Sequence, residues 1–449
     1  MRPEEIASYD RLVPRYTSYP TAPHFTPAVG AARYRRWLAE VPAESALSLY
    51  LHVPFCAQLC WFCGCHTSVV NRYPPVAGYL DTLLREIDVV AEALGARRRA
   101  THLHWGGGTP TMLRPGDIRL LTGQLRARFD IAEDADFAVE IDPRAATCET
   151  VVALAEAGVT RASLGVQDFD PEVQRAVNRV QSFDLTRRVV GWLREHGIDA
   201  LNVDLLYGLP EQTAAGLVAS VDRTLELEPQ RIALFGYAHV PWMKRHQRLI
   251  DESRLPVAVE RARQAITAAA RLVERGYVAI GLDHFALPGD GLAKAAHDGT
   301  LRRNFQGYTT DRADVLLGFG ASAIGALPDG YVQNVVATPA YRKAIDGGAL
   351  AVVRGVAIDA DDRLRRDVIE RLMCDLEVDL DAVCRAHGSA PAALAREVEA
   401  LAPLVACGAV RVDGDVVRVM PEARLLLRLA CAAFDRRLTD EGERHARAV

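Results

Sequence analysis

Tyr50-Leu51-His52-Val53-Pro54-Phe55-Cys56-Ala57-Gln58-Leu59-Cys60-Trp61-Phe62-Cys63 joins the end of an apolar run to three thiols, spaced by three and then two residues. The run, residues 46–53, reads as a strand, and the thiols sit in the loop just beyond it. Structural zinc usually closes with four ligands, whereas a four-iron cluster can be held by three thiolates with one iron left open. Three close thiolates therefore suit an iron–sulfur cluster, and an open iron is a place for chemistry. On the triad alone, a zinc knuckle closed by Cys65 or His66 stays open as an alternative.

Outward from this stretch, short apolar runs recur at 101–105, 137–141, 162–166, 200–206, 232–237 and 278–282. Amphipathic stretches at 78–94, 115–129, 147–157, 184–196, 213–227 and 256–275 alternate with them. Such alternation predicts parallel βαβ units, hence an α/β fold. Six or seven units suit a partial or full (β/α) barrel of parallel strands better than an open sheet. Glu140, Gln167, Asp204, Tyr237 and the pair Asp283-His284 each fall at or just past the C-terminal end of a predicted strand. In barrel enzymes that rim carries the chemistry. One polar residue there means little, because the chain is leaving the core; five in register favour a site.

Three domains are expected. Residues 1–45 form a loop-like N-terminal segment with Pro14, Pro20, Pro23 and Pro27 spaced through it, and residues 46–330 form the barrel. Residues 331–449 form a small, mainly helical, winged-helix-like domain: helices at 365–376, 391–402 and 421–434, and a hairpin at 410–419 turning on Asp413-Gly414. Net charge is −5 without a Lys/Arg block, which argues against nucleic acid as a partner. No uncharged apolar run of about eighteen residues is present, so no membrane span is expected. The N-terminus lacks a basic region followed by an apolar one, so no signal peptide is expected. Nine cysteines, an odd number with four inside residues 56–65, do not make a disulfide framework. Cys148, Cys374, Cys384, Cys407 and Cys431 are expected as buried free thiols in a reducing, cytoplasmic setting.

A second motif, Leu103-His104-Trp105-Gly106-Gly107-Gly108-Thr109-Pro110, closes the second predicted strand. Three glycines in a row let a ligand approach the backbone closely. Alone this is any tight βα turn; one βα unit after the cysteine triad, it gains meaning. The cysteine spacing resembles that of the radical S-adenosylmethionine enzymes, which commonly place an aromatic such as Phe62 against the adenine and a glycine motif against the amino-acid end.

The resemblance then narrows. Residues 14–21 (PRYTSYPT), 50–56 (YLHVPFC), 104–110, 165–169 (GVQDF), 177–179 (VNR), 204–210 (DLLYGLP), 237–239 (YAH), 283–286 (DHFA) and 303–309 (RNFQGYT) resemble the oxygen-independent coproporphyrinogen III oxidase family. Gly236 and Val240 depart from that family's Asn and Leu. The resemblance implies conversion of two propionates of coproporphyrinogen III to vinyl groups, giving protoporphyrinogen IX through a 5′-deoxyadenosyl radical. It implies a [4Fe-4S] cluster on Cys56, Cys60 and Cys63, and two S-adenosylmethionine molecules. Tyr50, Gly107, Glu140 and Ile324 match contacts to the cluster-bound molecule; Phe62, Gly108, Thr109, Gln167, Arg179, Asp204 and Ala238 match contacts to the second. Cys65 and Tyr50 are the candidates for acting in the reaction itself. The pattern through Cys65, together with residues 14–21, resembles the oxidase rather than a related haem-trafficking protein, which typically has Phe in that place. Cys65 lies too near Cys63 to reach a separate iron. The aromatic and basic N-terminal segment is expected to cover the substrate. Arg15, Arg144 and Arg303 are candidates for holding propionates, the reductant is expected to be a flavodoxin or ferredoxin, and the resemblance favours a monomer.

Overall fold

In the strand Ala200–Tyr207, Leu201, Val203, Leu205 and Tyr207 are buried on one face, while Asn202, Asp204 and Leu206 lie half-buried on the other. Strand Arg161–Gln167 alternates in the same way, with Ala162, Leu164 and Val166 buried. Successive side chains of a strand point to opposite faces, so one face packs on helices and the other turns its polar residues into a lumen. The computed structural model describes residues 1–438 and Arg447.

Twelve strands form one sheet. In chain order they are β1 (Leu47–Val53), β2 (Arg99–Gly107), β3 (Asp130–Ile141), β4 (Arg161–Gln167), β5 (Ala200–Tyr207), β6 (Arg231–Gly236), β7 (Val278–Ile280), β8 (His284–Ala286), β9 (Val315–Phe319), β10 (Ile324–Leu327), β11 (Gly330–Asn334) and β12 (Val352–Ala357). Seven neighbours run parallel, in the order β9-β1-β2-β3-β4-β5-β6. The crossover helices between them, such as Phe183–Glu195 and Ala214–Leu225, start at Ser182 and Thr213, whose side chains accept from the third residue on. Beyond β6 the strands β8 and β7 turn antiparallel, and beyond β9 so do β10, β11 and β12. The end strands β12 and β7 do not pair with each other, so the barrel is a partial one.

Three expectations change. The run 278–282 is not another parallel unit: β7 and β8 are separated by only Gly281, Leu282 and Asp283, too few residues for a parallel crossover. The seventh parallel strand is instead β9, buried along its whole length, whose unalternating VLLGF carries no period of two. The N-terminal segment is not all loop. Helix Ala31–Glu40 buries Tyr34, Trp37 and Leu38 on one face, at the three- and four-residue spacing a helix needs.

The sheet runs on to Ala357, so the expected boundary at residue 330 falls inside it. After it, helix Ala360–Asp375, capped by Asp359, leads into a small antiparallel sheet. Its strands are β13 (Glu377–Asp379), β14 (Val410–Asp413) and β15 (Val416–Val419), with β15 in the middle. The expected helices at 391–402 and 421–434 both break into tighter turns at their proline-led starts: Pro391–Leu394 precedes Ala395–Glu399, and Pro421–Leu426 precedes Leu427–Ala433. Leu364, Val368, Leu372 and Leu427 from this unit share one buried cluster with Ile6, Val13, Tyr16 and Tyr19. The two ends of the chain thus make a common core, apart from the core of the large sheet. No described helix is long and apolar enough to cross a membrane.

Candidate active site

The loop after β1 is tied down at its first two sulfurs. Thr67 donates its hydroxyl to Cys56 Sγ at 3.1 Å, and the Thr109 hydroxyl lies 3.3 Å from the same atom. Arg144 and Arg179 donate to Cys60 Sγ at 3.1 and 3.3 Å. Both guanidinium groups also pair with Asp142, which burial works to raise but which they hold below the usual carboxylate range. The neighbouring Cys63 and Cys65 thiols act on each other, which pulls the Cys63 thiol down to about 7 and pushes that of Cys65 up. The carbonyls of this loop are held from one further segment: Gln247 donates to Phe62 at 2.9 Å, His246 to Cys63 at 2.7 Å and Lys244 to Cys65 at 3.0 Å.

The glycine motif lies against the same loop. Gly107, at φ +109°, donates its N–H to Glu140 Oε2 at 3.1 Å, and His104 Nε2 lies 3.1 Å from Oε1. Burial works to raise the Glu140 carboxyl, but these partners keep it below its ordinary range. A Cβ at Gly106 would stand 2.6 Å from Glu140, one at Gly107 2.5 Å from His52, and one at Gly108 2.7 Å from the Phe55 backbone. The motif leaves no room for side chains, so its N–H and C=O groups are the surface a ligand meets. The Tyr50 hydroxyl sits 2.9 Å from His52 Nδ1, and His52 Nε2 donates to the His66 carbonyl at 2.9 Å, which fixes the ring.

The polar face of the strands continues the site. Asp204 accepts from Asn202 at 2.8 Å and Ser163 at 3.1 Å, and burial with the nearby Glu140 charge pushes its carboxyl up to about 6. Gln167 ends β4 at φ +73°, and Arg179 donates to the Gly165 carbonyl. A cavity of about 1180 Å³ opens over this rim. Phe62, Cys63, Cys65, Gln167, Asp204 and Ala238 line it. Tyr50, Gly107, Gly108, Thr109, Glu140, Arg179 and Ile324 stand outside that lining. Of the candidate propionate holders, Arg15 and Arg303 face the cavity, whereas Arg144 is committed to Asp142 and Cys60. Sequence reasoning missed Gln247, His246 and Lys244, and also Arg424, which lines the cavity from the C-terminal unit. No local motif marks them, since each reaches the site across more than 170 residues.

The residues fit a cluster with a bound nucleotide. Hydroxyl and guanidinium donors to Cys56 and Cys60 stabilise thiolates, and the side-chain-free cradle lies beside them. Among the described residues no three His, Cys, Asp or Glu side chains converge on a point for one metal ion. A cubane takes each thiolate at a different iron and needs no such convergence.

Comparisons with known proteins agree with this geometry. Residues 50–223 match the model of the Radical SAM superfamily, and residues 358–426 that of the HemN C-terminal domain. The chain is 52% identical to the oxygen-independent coproporphyrinogen III oxidase of Bradyrhizobium diazoefficiens over the full length of both. It is 49% identical to that of Paracoccus denitrificans over 96% of both. It superimposes on the structure of the Escherichia coli coproporphyrinogen III oxidase HemN, titled a Radical SAM enzyme, with a TM-score of 0.90 and 40% identity. That match covers 94% of this chain and 98% of the other.

Proposed function

The chain belongs to the oxygen-independent coproporphyrinogen III oxidase family, and from that premise we propose that it converts coproporphyrinogen III to protoporphyrinogen IX without oxygen. The carrying observation is a cysteine loop packed against a side-chain-free glycine cradle, with Phe62, Cys63 and Cys65 of that loop lining one large cavity. Bound there, the [4Fe-4S] cluster and S-adenosylmethionine supply a primary carbon radical able to take hydrogen from an unactivated C–H bond. For each vinyl group formed, the propionate gives up one hydrogen atom and one electron as carbon dioxide leaves.

The chain's own residues bind, orient and enclose. Cys56, Cys60 and Cys63 hold the cluster. Gly107 offers its backbone to the amino-acid end of the first nucleotide, with Tyr50, Glu140 and Ile324 around it. Phe62, Gly108, Thr109, Gln167, Arg179, Asp204 and Ala238 are assigned to a second molecule. Four of these seven line the cavity, which supports a second nucleotide between rim and substrate. Asp204, deep on the polar face, suits ribose hydroxyls or an ammonium. Cys65 faces the cavity beside Cys63, where it can handle a proton or pass on the electron that the substrate gives up. Cys65→Ser retaining the cluster, cleavage of S-adenosylmethionine and full decarboxylation would remove that role. Tyr16 and Tyr19, anchored in the second core, hold the N-terminal segment with its Arg15 over the opening.

The reading extends to a flavodoxin- or ferredoxin-like reductant and a monomer working in the cytoplasm. All nine cysteines are free thiols, which supports a reducing compartment. The relatives named as oxidases, and Cys65 in its place, favour the oxidase over a haem-trafficking role. The test is anaerobic incubation of reconstituted protein with reductant, S-adenosylmethionine and coproporphyrinogen III. Expected are 5′-deoxyadenosine and protoporphyrinogen IX; retained haem with no carbon dioxide released would overturn the reading.

A further inference from the structure

Guanidinium nitrogens buried without a partner call for an anionic occupant, because an unpaired charge away from water is costly. Arg15, Arg303 and Arg424 line the large cavity from three separate parts of the chain. They come from the N-terminal segment, the short strand Arg302–Asn304, and the turn Pro421–Leu426 of the C-terminal unit. None of them forms an ion pair among the described residues. Arg15 gives one nitrogen to the Gly236 carbonyl at 2.8 Å. Arg303 donates Nε to the Tyr16 carbonyl at 3.3 Å and lies 4.3 Å over the Tyr308 ring, while its Nη1 is buried without a partner. Arg424 makes no hydrogen bond among the described residues, and its Nη1 is likewise buried without a partner.

Of the carboxylates that line the cavity, Asp283 is the one that lies in the field of all three. Asp283, in the turn between β7 and β8, takes His284 Nδ1 on Oδ1 at 2.8 Å, and none of the three arginines comes within ion-pair distance. Burial works to raise its carboxyl, but the His284 bond and the field of Arg303 and Arg15 hold it below the usual range, so it stays an acceptor. The cavity, which Asp204, Glu274 and Glu422 also line, thus sets these cations around the carboxylate of Asp283. That pattern is complementary to a molecule with carboxylates at its edge and N–H donors at its centre.

We infer that Arg15, Arg303 and Arg424 hold carboxylates of the tetrapyrrole and that Asp283 accepts its pyrrole N–H groups, so that the C-terminal unit contributes Arg424 to the substrate site. The inference rests on the oxidase reading. Coproporphyrinogen III carries four propionate carboxylates and four pyrrole N–H groups. Three guanidinium groups match the three carboxylates that are spared while the fourth reacts. The saturated bridges of the porphyrinogen let its N–H groups tilt to one side, whereas the flat, oxidised coproporphyrin III keeps its own in the ring plane. Both carry the same four carboxylates.

That difference separates the two roles. Anaerobic holoenzyme without reductant is titrated with coproporphyrin III, whose fluorescence reports binding, and then with coproporphyrinogen III as competitor. Arg303→Gln and Arg424→Gln are expected to weaken both ligands by about tenfold or more, as loss of a charge-assisted bond to a carboxylate does. Asp283→Asn is expected to weaken coproporphyrinogen III by about tenfold and coproporphyrin III by less than about twofold. In turnover, KM rises more than kcat falls, and Arg424→Lys recovers part of the loss, which a packing role would not show. Iron content and unfolding midpoint of each variant, matched to wild type, show that the fold is kept. Gln variants within about twofold of wild type for both ligands, or Asp283→Asn acting equally on both, overturn the inference. Wild-type protein that neither binds nor converts the porphyrinogen sinks the oxidase reading itself, a result distinct from silent variants in an active enzyme.

Discussion

Around the cysteine loop the charged side chains are partnered, Asp142 by Arg144 and Arg179 and Glu140 by His104 and the Gly107 N–H. Across the same cavity Arg15, Arg303 and Arg424 stand without ion pairs among the described residues. The two ends follow different logics. A site for a resident group is organised before anything binds, with polar groups already aimed and held. A site for an incoming polyanion leaves its cations uncommitted, and the substrate brings the counter-charge.

The contrast has opposite consequences for stability. Asp142→Asn leaves two buried guanidinium groups without their anion, and a loss of about 3 kcal/mol is expected in denaturant unfolding. A midpoint unchanged from wild type would show that the paired end is not held as described. Next comes Glu86, fully buried, which accepts from Tyr341, Asn334 and the Gly320 N–H and so fixes the end of β9. Burial pushes its carboxyl up to about 7 against those bonds. Raised in the fold, this group contributes stability that is complete below its unfolded value near 4.5 and is lost as pH rises through 7. Wild type is expected to lose up to about 3 kcal/mol over that window, and Glu86→Gln to show a flatter profile in unfolding measured from pH 5 to 8.

Smaller, and of the other sign, is Arg424→Met. Removing a cation with no partner is expected to stabilise the substrate-free chain by about 1 kcal/mol while weakening substrate binding. Destabilisation would mean that Arg424 has a counter-ion in solution. Smallest is Arg187→Ala, which breaks an exposed pair with Asp184 and is expected to shift stability by less than about 0.5 kcal/mol.

Much of the parallel half was legible in the chain, because runs such as 162–166 and 200–206 stand between amphipathic helices and carry their own period. The Asp413-Gly414 hairpin was legible for a local reason as well: Gly414 takes a positive φ. What was not legible depends on distant partners. β9 is buried on both faces and so shows no alternation, and the antiparallel turn of β7 and β8 follows from a three-residue link. The cysteines and glycines announced themselves by spacing. Lys244, His246 and Gln247 read as ordinary polar residues until the fold lays them on the loop carbonyls, and Arg424 gains meaning only when the C-terminal unit meets the sheet.

The most direct measurement is low-temperature EPR of anaerobically reconstituted, reduced protein, recorded with and without S-adenosylmethionine. With protein ligands stopping at Cys56, Cys60 and Cys63, a four-iron cluster signal is expected whose lineshape changes when the nucleotide is added. A signal indifferent to the nucleotide, or no cluster signal at all, contradicts it.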